Sequence, residues 1–252
     1  MIQPSIGVED SGMYLTIGPF LLHHTWKKDS LGSEFEYILK HYAGFITPAD
    51  NIDPTYVIHE IPLYPRNAPP GAMNAANWMT IENELRHWAA RQARQNGGFM
   101  CHAAGLIHRG RGWLLPGRSG AGKSTLALKL APKCDLVLSD EVCIALPVAG
   151  TWKLWGTPFY GTGEQGVTGS GCVLEAILFP HRDRAISIAP IDKNEALAIM
   201  LRAIVSPDKL GDKNVLDDAI ALVESHNTFR ANFAYRSTTE EVYDAVIAAL
   251  SS

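Results

Sequence analysis

The chain has little cysteine, only 4 residues in 252. Cys101, Cys134, Cys143 and Cys172 are scattered and form no CxxC pair, so their spacing encodes neither a disulfide framework nor a zinc cluster. A reducing compartment suits them, and they read as small apolar core residues. There is no long basic run, and the formal charge is −4 with a pI near 6.1, which argues against a nucleic-acid partner. No apolar run approaches the ~18 residues of a membrane span, so no membrane partner is expected. The opening MIQPSIGVEDSG lacks the charged and then apolar regions of a signal peptide, and a cytoplasmic protein is expected. Internal repeats and low-complexity tracts are also missing. Core-forming residues are plentiful: 46% of the chain is hydrophobic, enough for one large domain or two modest ones.

Residues 13–26, 34–42 and 54–64 carry β-branched and aromatic residues between Gly, Ser, Asp, Asn and Pro, which predicts short strands. The Pro-rich PRNAPPG at 65–71 breaks the pattern. A helix is predicted from about Asn77 to Asn96, with Trp78, Ile81, Leu85, Trp88 and Ala89 on one face. Gly97 and Gly98 end it. Beyond them FMCHAAGLIH reads as a strand, RGRG as a tight turn and GWLLPG as a second strand. A helix over Lys123–Leu130 and a buried strand or strand pair in CDLVLSDEVCIAL come next. Residues 151–161 are partly extended, 161–171 form a glycine-rich loop, and 172–180 form a strand. Helices over 193–205 and 215–226, a strand over 228–236 and a last helix N-capped by Thr238 complete the chain. The organisation expected is α/β: a small β-rich N-terminal domain over 1–97, ending in a helix, and a second domain over 98–252.

The most informative stretch is GRSGAGKST, residues 117–125. Gly117, Gly122, Lys123 and Ser124 satisfy G-x-x-x-x-G-K-[ST], with an apolar strand before and a helix after. The pattern arises by chance in roughly 1% of chains of this length, and the flanking elements lower that figure. Gly117, Gly120 and Gly122 open backbone angles closed to other residues. The N–H groups of Ser119, Gly120, Ala121, Gly122 and Thr125 can then converge on one anion. The helix start adds partial positive charge. Lys123 reaches the outer phosphates, and the Ser124 hydroxyl suits Mg²⁺. Such a loop indicates binding of nucleotide phosphates with Mg²⁺, but not a reaction. Neither an NKxD guanine-reading motif nor an LSGGQ signature is present, and the loop sits mid-chain rather than at the start.

Leu136, Val137 and Leu138 form an apolar strand that ends in Ser139, Asp140 and Glu141. A carboxylate at a strand end beside a phosphate loop can hold Mg²⁺, and a second can take a proton from an attacking hydroxyl. His102 opens the strand before the loop. His108 and Cys101 lie close by, without the second cluster a metal site needs.

Residues 101–146 resemble the core of HPr kinase/phosphorylase and its relatives, which share a wider architecture with phosphoenolpyruvate carboxykinase. In that family a histidine opens a strand, a Gly-turn follows, then come the phosphate loop and its helix. The next strand ends in an acidic pair. His102, Gly117–Ser124, Asp140 and Glu141 fall on these positions. The resemblance implies an HPr-kinase/carboxykinase-like phosphate-loop core. It also implies Asp140 as the base on a serine hydroxyl, Glu141 holding Mg²⁺ with Ser124, and His102 beside the transferring phosphoryl group. Glu141 stands where the family usually has aspartate. The family's C-terminal Glu/Arg/Gly-rich signature is missing, which fits a divergent member. Some such members phosphorylate a serine of a ribosomally made peptide such as a lasso-peptide precursor. Relatives assemble as hexamers, so a homo-oligomer is an expectation of the resemblance.

Further candidates are weaker. Thr157 and Tyr160, beside the 161–171 loop, read as contacts to substrate or phosphate or as plain loop residues. Arg182 and Arg184 suit neutralisation of a transferring phosphoryl group or a solvated strand end. Trp152 and Trp155 suit adenine stacking or core packing. His23 and His24 read as surface residues. The reading favoured is an ATP- and Mg²⁺-dependent serine kinase whose acceptor is a peptide or protein, with Asp140, His102 and Lys123 catalytic. A small-molecule kinase on the same core and an ATP-binding regulator without transfer remain the alternatives.

Overall fold

The computed structural model describes residues 12–25, 42–47, 58–62, 75–159, 161, 171–205 and 214–251. Tyr160, most of the 161–171 loop, and the expected strand over 34–42 except Tyr42 lie outside them. Strand alternation near the chain centre organises the rest. In β5 (Phe99–His108) and β8 (Val142–Val148), Cys101, Ala103, Cys143 and Ala145 face one apolar cluster. The intervening Met100, Val142 and Ile144 face another, as the period of two requires.

β5 pairs antiparallel with β6 (Arg111–Pro116), which pairs parallel with β10 (Cys172–Arg182). β8 pairs antiparallel with β9 (Thr151–Gly156), and β9 meets β10 through Cys172↔Leu154 and Val173↔Lys153. Strands β5, β6, β10, β9 and β8 therefore close a ring. β12 (Asn227–Phe233) extends it in parallel from β10, and β11 (Ser187–Pro190) forms the antiparallel edge beyond β12. With β7 (Leu136–Ser139) on β5, this is an 8-stranded mixed sheet. The mixed α/β class expected from the sequence is what the chain adopts.

The ring interior explains the cysteines. A Cβ on Gly105 would lie 2.7 Å from Cys143 Sγ, and one on Gly112 would lie 2.8 Å from Cys172 Sγ. Backbone and thiol thus meet where nothing larger fits. Burial pushes the Cys101 thiol up to about 12, so it is inert.

Helices cover the outside. α1 (Ala75–Gln95) buries Leu85, Trp88, Ala89, Ala90 and Ala93. It ends in paired bonds, Gly98 N–H to the Ala93 carbonyl (3.0 Å) and Gly97 N–H to the Arg94 carbonyl (3.1 Å). Gly97 takes the positive φ of 73° that this Schellman ending demands. The apolar face of α1 meets a 4-stranded sheet in the order β3-β1-β2-β4. Its strands are β1 (Gly12–Ile17), β2 (Phe20–Thr25), β3 (Ile46–Thr47) and β4 (Ile58–Pro62). Leu15, Ile17, Phe20 and Leu22 share one cluster with α1 and with Met100, Val142 and Ile144. On other faces lie α2 (Lys123–Leu130) and α5 (Thr239–Leu250), and α3 (Lys193–Ala203) with α4 (Val215–Ser225). Among the described residues, no helix is long and apolar enough to cross a membrane.

Candidate active site

One edge of β5 serves two partners. Gly105–Ile107 pair with β7, whereas Phe99–His102 pair with β8. The ladder must break between them, and the break falls at Asp140–Glu141. Ser139, fully buried, holds the turn: its Oγ accepts the N–H groups of Glu141 (3.3 Å) and Val142 (3.2 Å). Ala103 N–H then donates to the Glu141 carbonyl at 3.0 Å. One residue earlier, the His102 carbonyl accepts the N–H of Gly117 at 3.1 Å. His102 Nδ1 lies 3.5 Å from Glu141 Oε1. Histidine, the first loop glycine and the acidic pair thus converge on a single strand position.

The glycine loop links β6 to α2. Ala121 N–H closes a turn onto the Arg118 carbonyl at 3.1 Å. Gly120 and Gly122 take φ of 81° and 101°, the region that favours glycine. Gly122 is also crowded: a Cβ there would sit 2.9 Å from Phe233 Cζ and 3.3 Å from Arg182 Cγ. Ser119 and Gly120 are exposed at the tip, Ala121, Ser124 and Thr125 are half-buried, and Gly117 is buried. Ser124 and Thr125 stand in the first turn of α2, whose start has no side-chain cap. Lys123 is 6% exposed and folds back over the loop, Nζ donating to the Arg118 carbonyl at 3.4 Å.

Charge is balanced across the site. The Glu141 carboxyl is held below its ordinary value, first by the hydrogen bond from His102, against burial, and with help from Lys123, His102 and Arg86. Asp140 is 5% exposed, and its Oδ1 accepts the N–H of Gly161 at 3.1 Å. The segment after β9 therefore runs against the acidic pair.

That segment corrects one expectation. Thr157 does not face a substrate: it is fully buried, its hydroxyl donating to the Val142 carbonyl at 2.7 Å and accepting Phe159 N–H at 3.4 Å. Trp152 and Trp155 are buried, Trp152 tilted on Phe99 with ring centres 5.6 Å apart, so core packing is their role. His108 is buried, stacked on Trp113 and bonded to Tyr243 Oη at 2.9 Å. His23 is half-buried and stacks on Tyr14 at 4.4 Å rather than standing in solvent. The side chain of His24 lies outside the described residues. Both arginines are exposed, but the Arg182 stem lies along Gly122, whereas Arg184 stands at the following turn. The sequence reading missed Arg86, which belongs to no motif, whereas Gly161 falls in the glycine-rich stretch that the sequence set beside the site.

No family model matches the chain, and no curated protein matches it. Among solved structures it is similar to the HPr(Ser) kinase/phosphatase from Coxiella burnetii. That match has a TM-score of 0.33 and 12% identity, and covers 59% of this chain and 88% of that one.

Proposed function

We propose that the protein is an ATP- and Mg²⁺-dependent kinase that transfers the γ-phosphoryl group to a hydroxyl, a serine of a peptide or protein. The observation that carries this reading is the meeting of Gly117, His102 and the Asp140–Glu141 pair at one point on β5. The residues present fit the groups invoked. Gly120 and Gly122 leave the loop backbone open, and the uncapped start of α2 offers N–H donors. Among the described residues the Lys123 ammonium has only a carbonyl as hydrogen-bond partner. Ser124 and Glu141 supply the hard oxygen ligands Mg²⁺ prefers. Bound there, Mg²⁺ would neutralise charge on the β- and γ-phosphates.

In this reading the acceptor oxygen attacks the γ-phosphorus and its proton passes to the Asp140 carboxylate. The bond from the γ-phosphorus to the β–γ bridging oxygen breaks, and ADP leaves. Lys123 stabilises the charge that develops, and Arg182, whose stem lies on Gly122, adds a second cation. In the same reading His102, whose Nδ1 lies 3.5 Å from Glu141 Oε1, donates to a phosphoryl oxygen. The serine-peptide acceptor is favoured by the resemblance of residues 101–146 to the HPr-kinase core.

The test is transfer from [γ-³²P]ATP with Mg²⁺, by wild type and Asp140→Asn, to peptides encoded near the gene, with HPr as a control. Label on a peptide serine, reduced about 10²- to 10⁴-fold by Asp140→Asn, is the expected result. Transfer that survives this change would remove Asp140 as the base.

A further inference from the structure

The helix before Gly97 carries no phosphate motif, yet it touches the site. Arg86, on α1, lies with its guanidinium 5.0 Å above the ring centre of Phe159. Glu82, one turn back, orients it: Nε and Nη2 both donate to Glu82 Oε1, at 2.8 and 2.6 Å. Phe159 is 1% exposed and packs in the same cluster as Leu85, Trp88 and Trp155. Two residues on, Gly161 N–H reaches Asp140 Oδ1. A Cβ on Gly161 would lie 3.1 Å from Glu141 Oε2 and 3.6 Å from Asp140 Oδ2, so backbone presses directly on the carboxylates. Thr157 anchors the other end of this strap to the Val142 carbonyl.

We infer that Arg86 is a positioning residue for Asp140, acting through the face of Phe159 and the backbone N–H of Gly161. This rests on the reading of Asp140 as the base. An aspartate turns freely about two bonds, and a base is effective only when one oxygen points at the acceptor proton. The Gly161 N–H is one of the contacts that fix this orientation, and it is made only with the strap in place. Thr157 fixes the strap where it leaves β9. Phe159, the anchor nearest Gly161, packs in its cluster under a flat guanidinium that also keeps two bonds to Glu82, an arrangement a lysine ammonium does not reproduce. The Arg86 charge also helps keep Glu141 ionised, which agrees with its place beside the acidic pair. Arg86, on the helix before Gly97, would thus contribute to the chemistry through the strap.

The test uses the full chain. Hydrogen exchange at the Gly161 amide, read by NMR, is combined with MgADP affinity and with kcat and KM for ATP, water serving as acceptor. The variants are Arg86→Ala, Arg86→Lys and Phe159→Leu, with Arg91→Ala, exposed on the same helix, as control. In Arg86→Ala, protection of Gly161 should fall roughly 3- to 30-fold, and kcat with it. KM for ATP and MgADP affinity should stay within about 2-fold. Arg86→Lys should not rescue, and Arg91→Ala should change nothing. If Arg86→Ala fails to fold, Phe159→Leu, which keeps apolar volume and removes the ring face, decides. Unchanged Gly161 protection and kcat in the folded variants would overturn the inference. Wild type that binds MgADP but never turns over ATP would sink the kinase reading instead, whereas a fall in Gly161 protection would still establish the link to Asp140.

Discussion

Two neighbouring glycines of the loop should respond differently to the same added methyl group. Gly120 has φ of 81° and nothing within 4 Å of the Cβ an alanine would add, so Gly120→Ala costs only the left-handed backbone, about 1–2 kcal/mol. Gly122 carries the same backbone penalty at φ of 101°, and its Cβ would also come within 2.9 Å of Phe233 Cζ. Phe233, the last residue of β12, is fully buried in one cluster with Leu126 and Leu130 of α2, so its ring yields only by displacing packed neighbours. Overpacking of this kind adds about 1–3 kcal/mol. For a chain of this size each kcal/mol lowers Tm by about 2–4 °C. Gly122→Ala should therefore melt about 2–12 °C below Gly120→Ala. Calorimetry on the two variants beside wild type measures this directly. Equal melting of the two would show that Phe233 does not press on Gly122, and the loop geometry argued above would be wrong.

Other consequences are as direct. Lys123→Met keeps the buried stem and removes the ammonium, so ATP turnover should fall at least about 10²-fold while far-UV dichroism is unchanged. Ser139→Ala leaves the Glu141 and Val142 N–H groups without their acceptor, at about 1–3 kcal/mol, and should lower kcat more than MgADP affinity. His108 titrates below its ordinary value of 6.5, first through burial and then through Arg109, against Asp135 and Glu175. The unfolded chain therefore takes up this proton first as pH falls. Stability is fully present above about pH 6.5 and declines below it, by at most about 1.4 kcal/mol per pH unit. Urea titrations from neutral to mildly acidic pH should show a shallower decline in His108→Phe. Thr238 and Glu241 form a reciprocal cap on α5, with bonds of 3.2 and 2.8 Å, so Thr238→Ala should lose about 1 kcal/mol, or about 2–4 °C in Tm.

What could be read in the sequence was local. β5, the glycine loop and α2 carry their own punctuation: an apolar run, glycines at the turns, and Pro132 just past the helix. The split of CDLVLSDEVCIAL into two strands was open because both halves are apolar, and only the shared edge of β5 decides it. Ring closure had no such signal. Cys172↔Leu154 and the parallel register of β6 with β10 join residues far apart in the chain, and pairing of that kind leaves no periodic mark on either strand. Arg86 was invisible for a related reason. On an amphipathic helix a lone arginine looks like a solvated charge until the fold brings Phe159 under it.

The candidate site owes its geometry to a defect in the sheet rather than to the loop alone. A continuous strand over residues 136–148 would have turned Asp140 and Glu141 to opposite faces, since successive side chains alternate. By ending β7 at Ser139 and starting β8 at Val142, the chain frees both residues from that alternation. Ser139 makes the interruption tolerable by accepting the N–H groups of Glu141 and Val142. Both carboxylates then meet Gly161 from one side, at the strand position where Gly117 is fastened. The acidic pair directly after the strand that follows the glycine loop is therefore a statement about register. Adjacent carboxylates within a regular strand face opposite ways, and here β5, by changing partners, supplies the break that lets Asp140 and Glu141 both approach Gly161.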